Sequence, residues 1–368
     1  MMNWEFRNMN KYLFEDVLTG KFNITLPDST YYASVKKRWD NAAKPLDSLG
    51  VFEDITARMG SILKTDKLNL GKKAIIVMCA DNGVVEEGIS QSGYEVTLAV
   101  AGAMGENKSS VCRMAAVNNT KIIPVDIGIK SDEIIPGVLD RKVSMGTRNF
   151  VKEPAMTKEE MYLAIQTGMD MVADLKHEGY AVIGTGEMGI GNTTTSSAVA
   201  AALLKCDEKE LVGRGAGLSD EGLEKKKKVI NDALNKYELL KSDTDVLTIL
   251  QTVGGLDIAG LAGVIIGGAV YHIPVVLDGV ISAVAALVAV RLFPEINKFI
   301  FASHMGKEPA MGYIIDELKL KPVIYGELAL GEGTGAVMMF SLLDMALSLY
   351  NEQTTFDDIS IEAYKRFV

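Results

Sequence analysis

Two glycine-rich stretches hold the residues of this chain best suited to chemistry. Near the C-terminus runs Leu330-Gly-Glu-Gly-Thr-Gly-Ala336, a single carboxylate, Glu332, set among three glycines. Ahead of it lies Gly184-Thr-Gly-Glu-Met-Gly-Ile-Gly-Asn-Thr-Thr194, with an acid of its own, Glu187. Glycine lets the backbone approach a ligand closely, and such loops present N–H groups to a phosphate. An acid without bulky neighbours can reach a small substrate. The pair suggests an enzyme that grips a phosphorylated ligand and does proton chemistry on a second molecule.

Each motif also has a plainer reading. Gly184–Gly189 satisfies GxGxxG after a strand-like run, the pattern of a dinucleotide fingerprint. A Rossmann unit, however, needs a second strand ending about 20 residues on in a ribose-binding acid. Here the chain runs instead into another glycine-rich turn, Val212–Leu218, and Glu187 would repel a pyrophosphate. A mononucleotide phosphate along Gly189–Thr194 at a helix start fits better. Glu332 reads either as a general base or as an acid placed to suit a helix N-terminus. Glu224-Lys-Lys-Lys-Lys228 is a solvated helix face from which one lysine could reach a phosphate. Asp81, Asp257 and Asp278 adjoin apolar runs, at strand ends where α/β sheets build sites. His304, just past a strand, is a ligand contact or a satisfied loop histidine.

The elements that must position these residues alternate. Short apolar runs predict buried strands at Lys73–Ala80, Lys121–Gly128, Tyr180–Gly184, Ile273–Leu277 and Lys298–Ala302. Helical spacing is expected over Tyr31–Met59 (with Asp28–Thr30 as cap), Val96–Val117, Thr157–Glu178, Thr193–Leu204, Val280–Leu292 and Glu332–Leu349. Thr157 and Glu160 form a capping box. Ile258–Leu277 is long enough to span a bilayer but contains His272 and Pro274, and reads as a buried helix followed by a buried strand. The alternation implies an α/β fold, a parallel sheet with helices on both faces. Residues 1–70 are expected to be mainly helical, 71–345 to form the α/β catalytic domain, and 346–368 to be a C-terminal helical tail, of which Asn351–Val368 is polar with some helical character.

Composition sets the outer bounds. The chain of 368 residues is 48% hydrophobic, enough for a large core. A net charge of −10 argues against nucleic acid or an anionic membrane as partner. Three scattered cysteines and three scattered histidines give no zinc pattern and suit a reduced, cytoplasmic setting. The first residues, Met1–Arg7, lack the signature of a signal peptide.

The order of the segments resembles the nicotinate-nucleotide:dimethylbenzimidazole phosphoribosyltransferases of cobamide lower-ligand activation. The matching pieces are Ala80-Asp-Asn-Gly-Val-Val-Glu-Glu-Gly-Ile-Ser90, Gly186–Thr194, Val212–Gly215, Val253–Gly255, Leu277–Gly279 and Leu330–Ala336, across residues 70 to 345. The resemblance implies a Rossmann-like fold, with a smaller helical domain built from the two ends of the chain. It implies transfer of phosphoribose from nicotinate mononucleotide to an aromatic base, giving an α-ribotide and nicotinate, without metal or cofactor. Glu332 would be the base. Glu187, Met188, Gly189, Gly191, Asn192, Thr193, Gly213, Gly215, Lys226, Gly254, Gly255 and Asp278 would lie at the ribose and phosphate. Asp81, Ser92, Val100, Ser303 and His304 would line the acceptor pocket.

The departures are specific. Asp81-Asn82-Gly83 stands where family members often have Asp-His-Gly, and Ser303–Glu308 follows its counterpart loosely. Val100 stands at the place of a glutamine that contacts benzimidazole, so a less polar ring, such as phenol or p-cresol, is the expected broadening. Relatives of that kind work as heterodimers of two similar chains, while others pair with themselves. Two rival readings remain open at this point: a non-catalytic subunit of such a heterodimer, and a nucleotide-dependent oxidoreductase.

Overall fold

The computed structural model describes residues 11–215 and 217–366. The N-terminal segment Met1–Arg7 and one residue of the 212–218 turn therefore lie outside the described residues. Lys73–Ala80 (β1), Thr120–Gly128 (β2), Leu139–Asp140 (β3), Val182–Met188 (β4), Val275–Leu277 (β5) and Ile300–Ala302 (β6) form one parallel sheet, ordered β3-β2-β1-β4-β5-β6. β1 is buried along its whole length, as its unbroken apolar run requires. His304–Gly306 (β7) and Ile324–Leu328 (β8) make a second, two-stranded parallel sheet.

Helices cover both faces. Leu256–Val270 lies on β1, β2 and β4 and packs against Lys158–His177, while Thr334–Asn351 lies on β1, β4 and β5 with Val51–Leu63 and Ser110–Ala115 beside it. Every residue of Leu256–Val270 is buried. Its glycines explain why: a Cβ on Gly263 would collide with the Ile165 carbonyl, and one on Gly168 with that of Gly260. The bilayer-length stretch is thus a core helix followed by β5. Among the described residues, no helix is long and apolar enough to cross a membrane. At the chain ends, Ser29–Asn41 packs on Val51–Leu63, Trp39 Nε1 donates to Thr56 Oγ1 at 2.9 Å, and Thr355 bridges to Ala42.

Several boundaries differ from the sequence expectation. The stretch Tyr31–Met59 is two helices parted at 42–50, where Pro45 lies. Val96–Val117 is also broken, with Glu95–Gly105 and Ser110–Ala115 separated by Asn107 in the left-handed region (φ +57°). β4 runs to Met188 rather than stopping at Gly184, because β1 offers parallel partners from Lys73↔Val182 to Cys79↔Met188. The last helix begins at Thr334, past Glu332, and extends to Asn351. Beyond it the tail holds only a single 3-10 turn, Asp357–Ile359, among the described residues.

Candidate active site

The strand order reverses direction between β1 and β4, and ligands of open α/β sheets bind outside the carboxyl ends of strands at such a point. β1 ends in Ala80 and is followed by Asp81 and Asn82; β4 ends in Glu187 and Met188. The glycines of β4 are the first correction to the motif. Gly184 and Gly186 are strand residues, not a phosphate turn. A Cβ on Gly184 would crowd Ala336 and Phe340, and one on Gly186 would meet the Glu332 carbonyl oxygen at 2.8 Å. Their bareness lets the start of the last helix, and the loop carrying Glu332, lie directly on the sheet.

That loop is unusual in its backbone. Gly331, Glu332 and Gly333 have φ of +80°, +61° and +90°, three successive left-handed residues of which only glutamate is strained. The turn is held by Asp278, whose Oδ2 accepts from Gly333 N at 3.0 Å and Oδ1 from Gly335 N at 2.7 Å. Asp278 therefore takes the anion place at the N-terminus of Thr334–Asn351. The Glu332 carboxylate is left to accept from Val111 N at 3.4 Å, half-buried, with burial and the Asp278 charge raising its pKa. The helix-start reading of Glu332 gives way: a different acid does that work.

Behind it Glu187 is buried and accepts a hydrogen bond from Asn192 Nδ2. Burial, reinforced by the charges of Asp257, Asp278 and Glu332, pushes its carboxyl up to about 8 against the pull of the Asn192 amide. Asp257, fully buried at the start of Leu256–Val270, is pushed up to about 6 by the same desolvation. Gly255 comes so close to Asn82 that a Cβ would lie 2.6 Å from Asn82 Oδ1, and a Cβ on Gly254 would collide with the Leu250 carbonyl. Asp278 is raised by burial, with His304 and the amides of Gly333 and Gly335 opposing; His304 is held low by burial, with Asp278 opposing. Ser303 Oγ lies 2.9 Å from His304 Nδ1. Among the described residues no group of three or more His, Cys, Asp and Glu side chains is arranged to hold a metal ion.

A second pole lies at the start of Asn192–Leu204. Its N-cap is Gly191 (φ +92°), and no described side chain is bonded to its first amides. Such a terminus is a ready anion site. Lys226, from the charge run, is fully buried here instead of solvated. Its Nζ donates to Thr193 Oγ1 at 2.9 Å and to the Gly213 carbonyl at 3.1 Å. Desolvation lowers its pKa to about 8, with Glu308 resisting. Gly189, Gly191, Asn192, Thr193, Gly213, Gly215 and Lys226 are thus brought to one place, with Met188 at the end of β4 beside them.

The acceptor-side residues are more spread. Asp81 Oδ2 accepts from Lys130 N at 2.8 Å, and burial raises its pKa. Ser92 and Val100, both half-buried, flank Thr97, whose hydroxyl accepts from Ile190 N at 3.1 Å and ties Glu95–Gly105 to the β4 loop. Ser303 and His304 face Asp278 instead, behind the Glu332 turn. Sequence reasoning missed Thr97 and the Val111 amide, both ordinary residues of helical segments, and Glu308, which only its place beside Gly213 reveals.

A phosphoribosyltransferase family model matches residues 24–361. Nicotinate-nucleotide–dimethylbenzimidazole phosphoribosyltransferase of Clostridium perfringens is 41% identical over 95% of this chain and 96% of its own length. That of Acetivibrio thermocellus is 44% identical over 90% and 94%. The crystal structure of the enzyme of the same name from Thermus thermophilus superposes with a TM-score of 0.84 at 33% identity, covering 91% of this chain and 99% of that one. With the sheet order, the carboxylate pole and the lysine pole in the places described, the chain belongs to the nicotinate-nucleotide–dimethylbenzimidazole phosphoribosyltransferase family and is a phosphoribosyltransferase.

Proposed function

We propose that this enzyme moves the phosphoribosyl group of nicotinate mononucleotide onto an aromatic lower-ligand base, dimethylbenzimidazole or a phenolic ring, for cobamide synthesis. The observation that supports this most is the division of the site: spare carboxylates at one end, an uncapped helix start with a buried lysine at the other. The phosphate rests at the Asn192–Leu204 start near Lys226 and serves as a handle that fixes C1′ below Glu187 and Glu332. As the C1′–N bond breaks, its electron pair leaves with the nicotinate ring and positive charge grows on the ribose. The ionised Glu332 carboxylate beside it favours that charge.

The acceptor attacks C1′ from the opposite face, and Glu332 takes its N–H or O–H proton, closing the balance. Neighbours that raise the Glu332 pKa make it a better base near neutral pH. Glu187, at about 8, is largely protonated at pH 7 and can donate a hydrogen bond to a ribose hydroxyl. Two similar subunits, identical or not, would complete the assembly.

Mass spectrometry of products tests the proposal, with the purified chain given nicotinate mononucleotide plus dimethylbenzimidazole or p-cresol. A ribotide of either acceptor, with nicotinate released in equal amount, is the expected result. Neither product, with or without a paralogous partner chain, would overturn it. The half-buried Val100 bears on acceptor choice: Val100→Gln is expected to move the product ratio several-fold toward benzimidazole, a gain of about one hydrogen bond. An unchanged ratio would remove Val100 from the pocket.

A further inference from the structure

Glu308 sits where an anion from outside would be expected. Its Oε1 accepts from Gly215 N at 3.1 Å, and Gly215 has the left-handed φ of +52°. Its Oε2 packs on the bare Cα of Gly213, where any Cβ would collide with it. Lys226, whose Nζ holds the Gly213 carbonyl, feels its charge. The carboxylate is thus held by one amide and one glycine surface, with the charge of a buried ammonium close enough to be felt, the same types of group that bind a phosphate oxygen. Glu308 is only half-buried, so a side-chain rotation frees it to solvent. Rotated out, Glu308 would have a second resting place. It precedes Ala310–Leu318, whose N-cap, Pro309, supplies no side-chain cap and whose macrodipole favours an acid.

We propose that Glu308 is an internal counter-anion: its carboxylate fills the cradle of Gly213, Gly215 and Lys226 when no donor is bound, and the donor's phosphate displaces it. This rests on the reading of that pole as the phosphate site. The carboxylate keeps a buried ammonium compensated in the empty enzyme, where an unpaired charge would be costly. It also lowers apparent affinity, since only the fraction of molecules with Glu308 swung out accepts a phosphate.

The test uses Glu308→Gln and Glu308→Ala in the full chain, with KM for nicotinate mononucleotide and the inhibition constant of inorganic phosphate as readouts. If Glu308 fills the cradle nine-tenths of the time, both constants fall about tenfold, while binding of nicotinate riboside, which lacks the phosphate, does not change. A rise in either constant, or no change in both, would overturn the proposal and make Glu308 a support of the loop. Lys226→Met separates the underlying reading: if it leaves mononucleotide and phosphate binding intact, the pole is not the phosphate site, whatever Glu308 does. Should Glu308→Ala fold poorly, Glu308→Gln keeps the shape and carries the test.

Discussion

Two helices flanking the site begin alike and are used in opposite ways. Asn192–Leu204 and Thr334–Asn351 each start from a left-handed glycine, Gly191 at φ +92° and Gly333 at φ +90°. In sequence they look like twins, a glycine pair with a nearby acid. In the fold, Asp278 reaches across from the end of β5 and occupies the second N-terminus through Gly333 and Gly335. No described side chain does the same for the first. One terminus therefore serves structure, and its filling leaves Glu332 out of the cap, with the Val111 amide as its hydrogen-bond donor; the other stays open to an anion.

Breaking the catalytic side should have the largest effect. Glu332→Gln keeps the turn but removes the carboxylate proposed as the base, and kcat is expected to fall about 10²–10⁴-fold with donor affinity and melting temperature nearly unchanged. A small loss in kcat would make Glu332 a bystander. On the open terminus, Lys226→Met removes a charged hydrogen-bond donor worth roughly 1.5–3 kcal/mol, about 10–100-fold, and the loss should appear in KM for the mononucleotide but not for the riboside. Filling is tested by Asp278→Asn, which cannot accept from both amides as strongly. Leaving buried amides poorly paired costs roughly 1–3 kcal/mol, read in urea unfolding, with kcat lowered less than in Glu332→Gln. Equal kcat losses in the two would mean that Asp278 does more than hold the turn.

The smallest effect lies in pH. Glu187 rises from an ordinary 4.5 to about 8 in the folded protein, so the native state holds its proton where the unfolded chain has lost it. Its contribution to stability is therefore fully present below about pH 4.5 and lost as pH climbs through about 8. Glu187→Gln should flatten the fall in melting temperature between pH 5 and 8, by roughly a few degrees at the alkaline end. Parallel curves for the two proteins would mean that Glu187 is ionised throughout.

Sequence legibility followed the range of the physics. β1 and the Thr157–Glu160 capping box are local patterns, and both stand where the pattern put them. β7 and β8 were invisible because they are short, and the exposed Ile-Tyr-Gly-Glu-Leu of β8 lacks an apolar run. GxGxxG was set aside as a dinucleotide fingerprint for want of a ribose-binding acid, and the fold adds the reason for its first two glycines: they answer to β1 and to a helix some 150 residues away, not to a turn. Glu332 stood out as a residue type in tell-tale company, whereas the charge run around Lys226 read as a solvated face and only the family resemblance singled that lysine out. Asp278 and Glu308 act through amides that sequence does not place beside them.

The left-handed run at 331–333 has one more consequence. A glutamate at φ +61° carries backbone strain that glycine would not, on the order of 1–2 kcal/mol. Glu332→Gly should thus give a dead enzyme that melts higher than the living one. The turn thus holds a side chain that stability alone would not choose for that backbone.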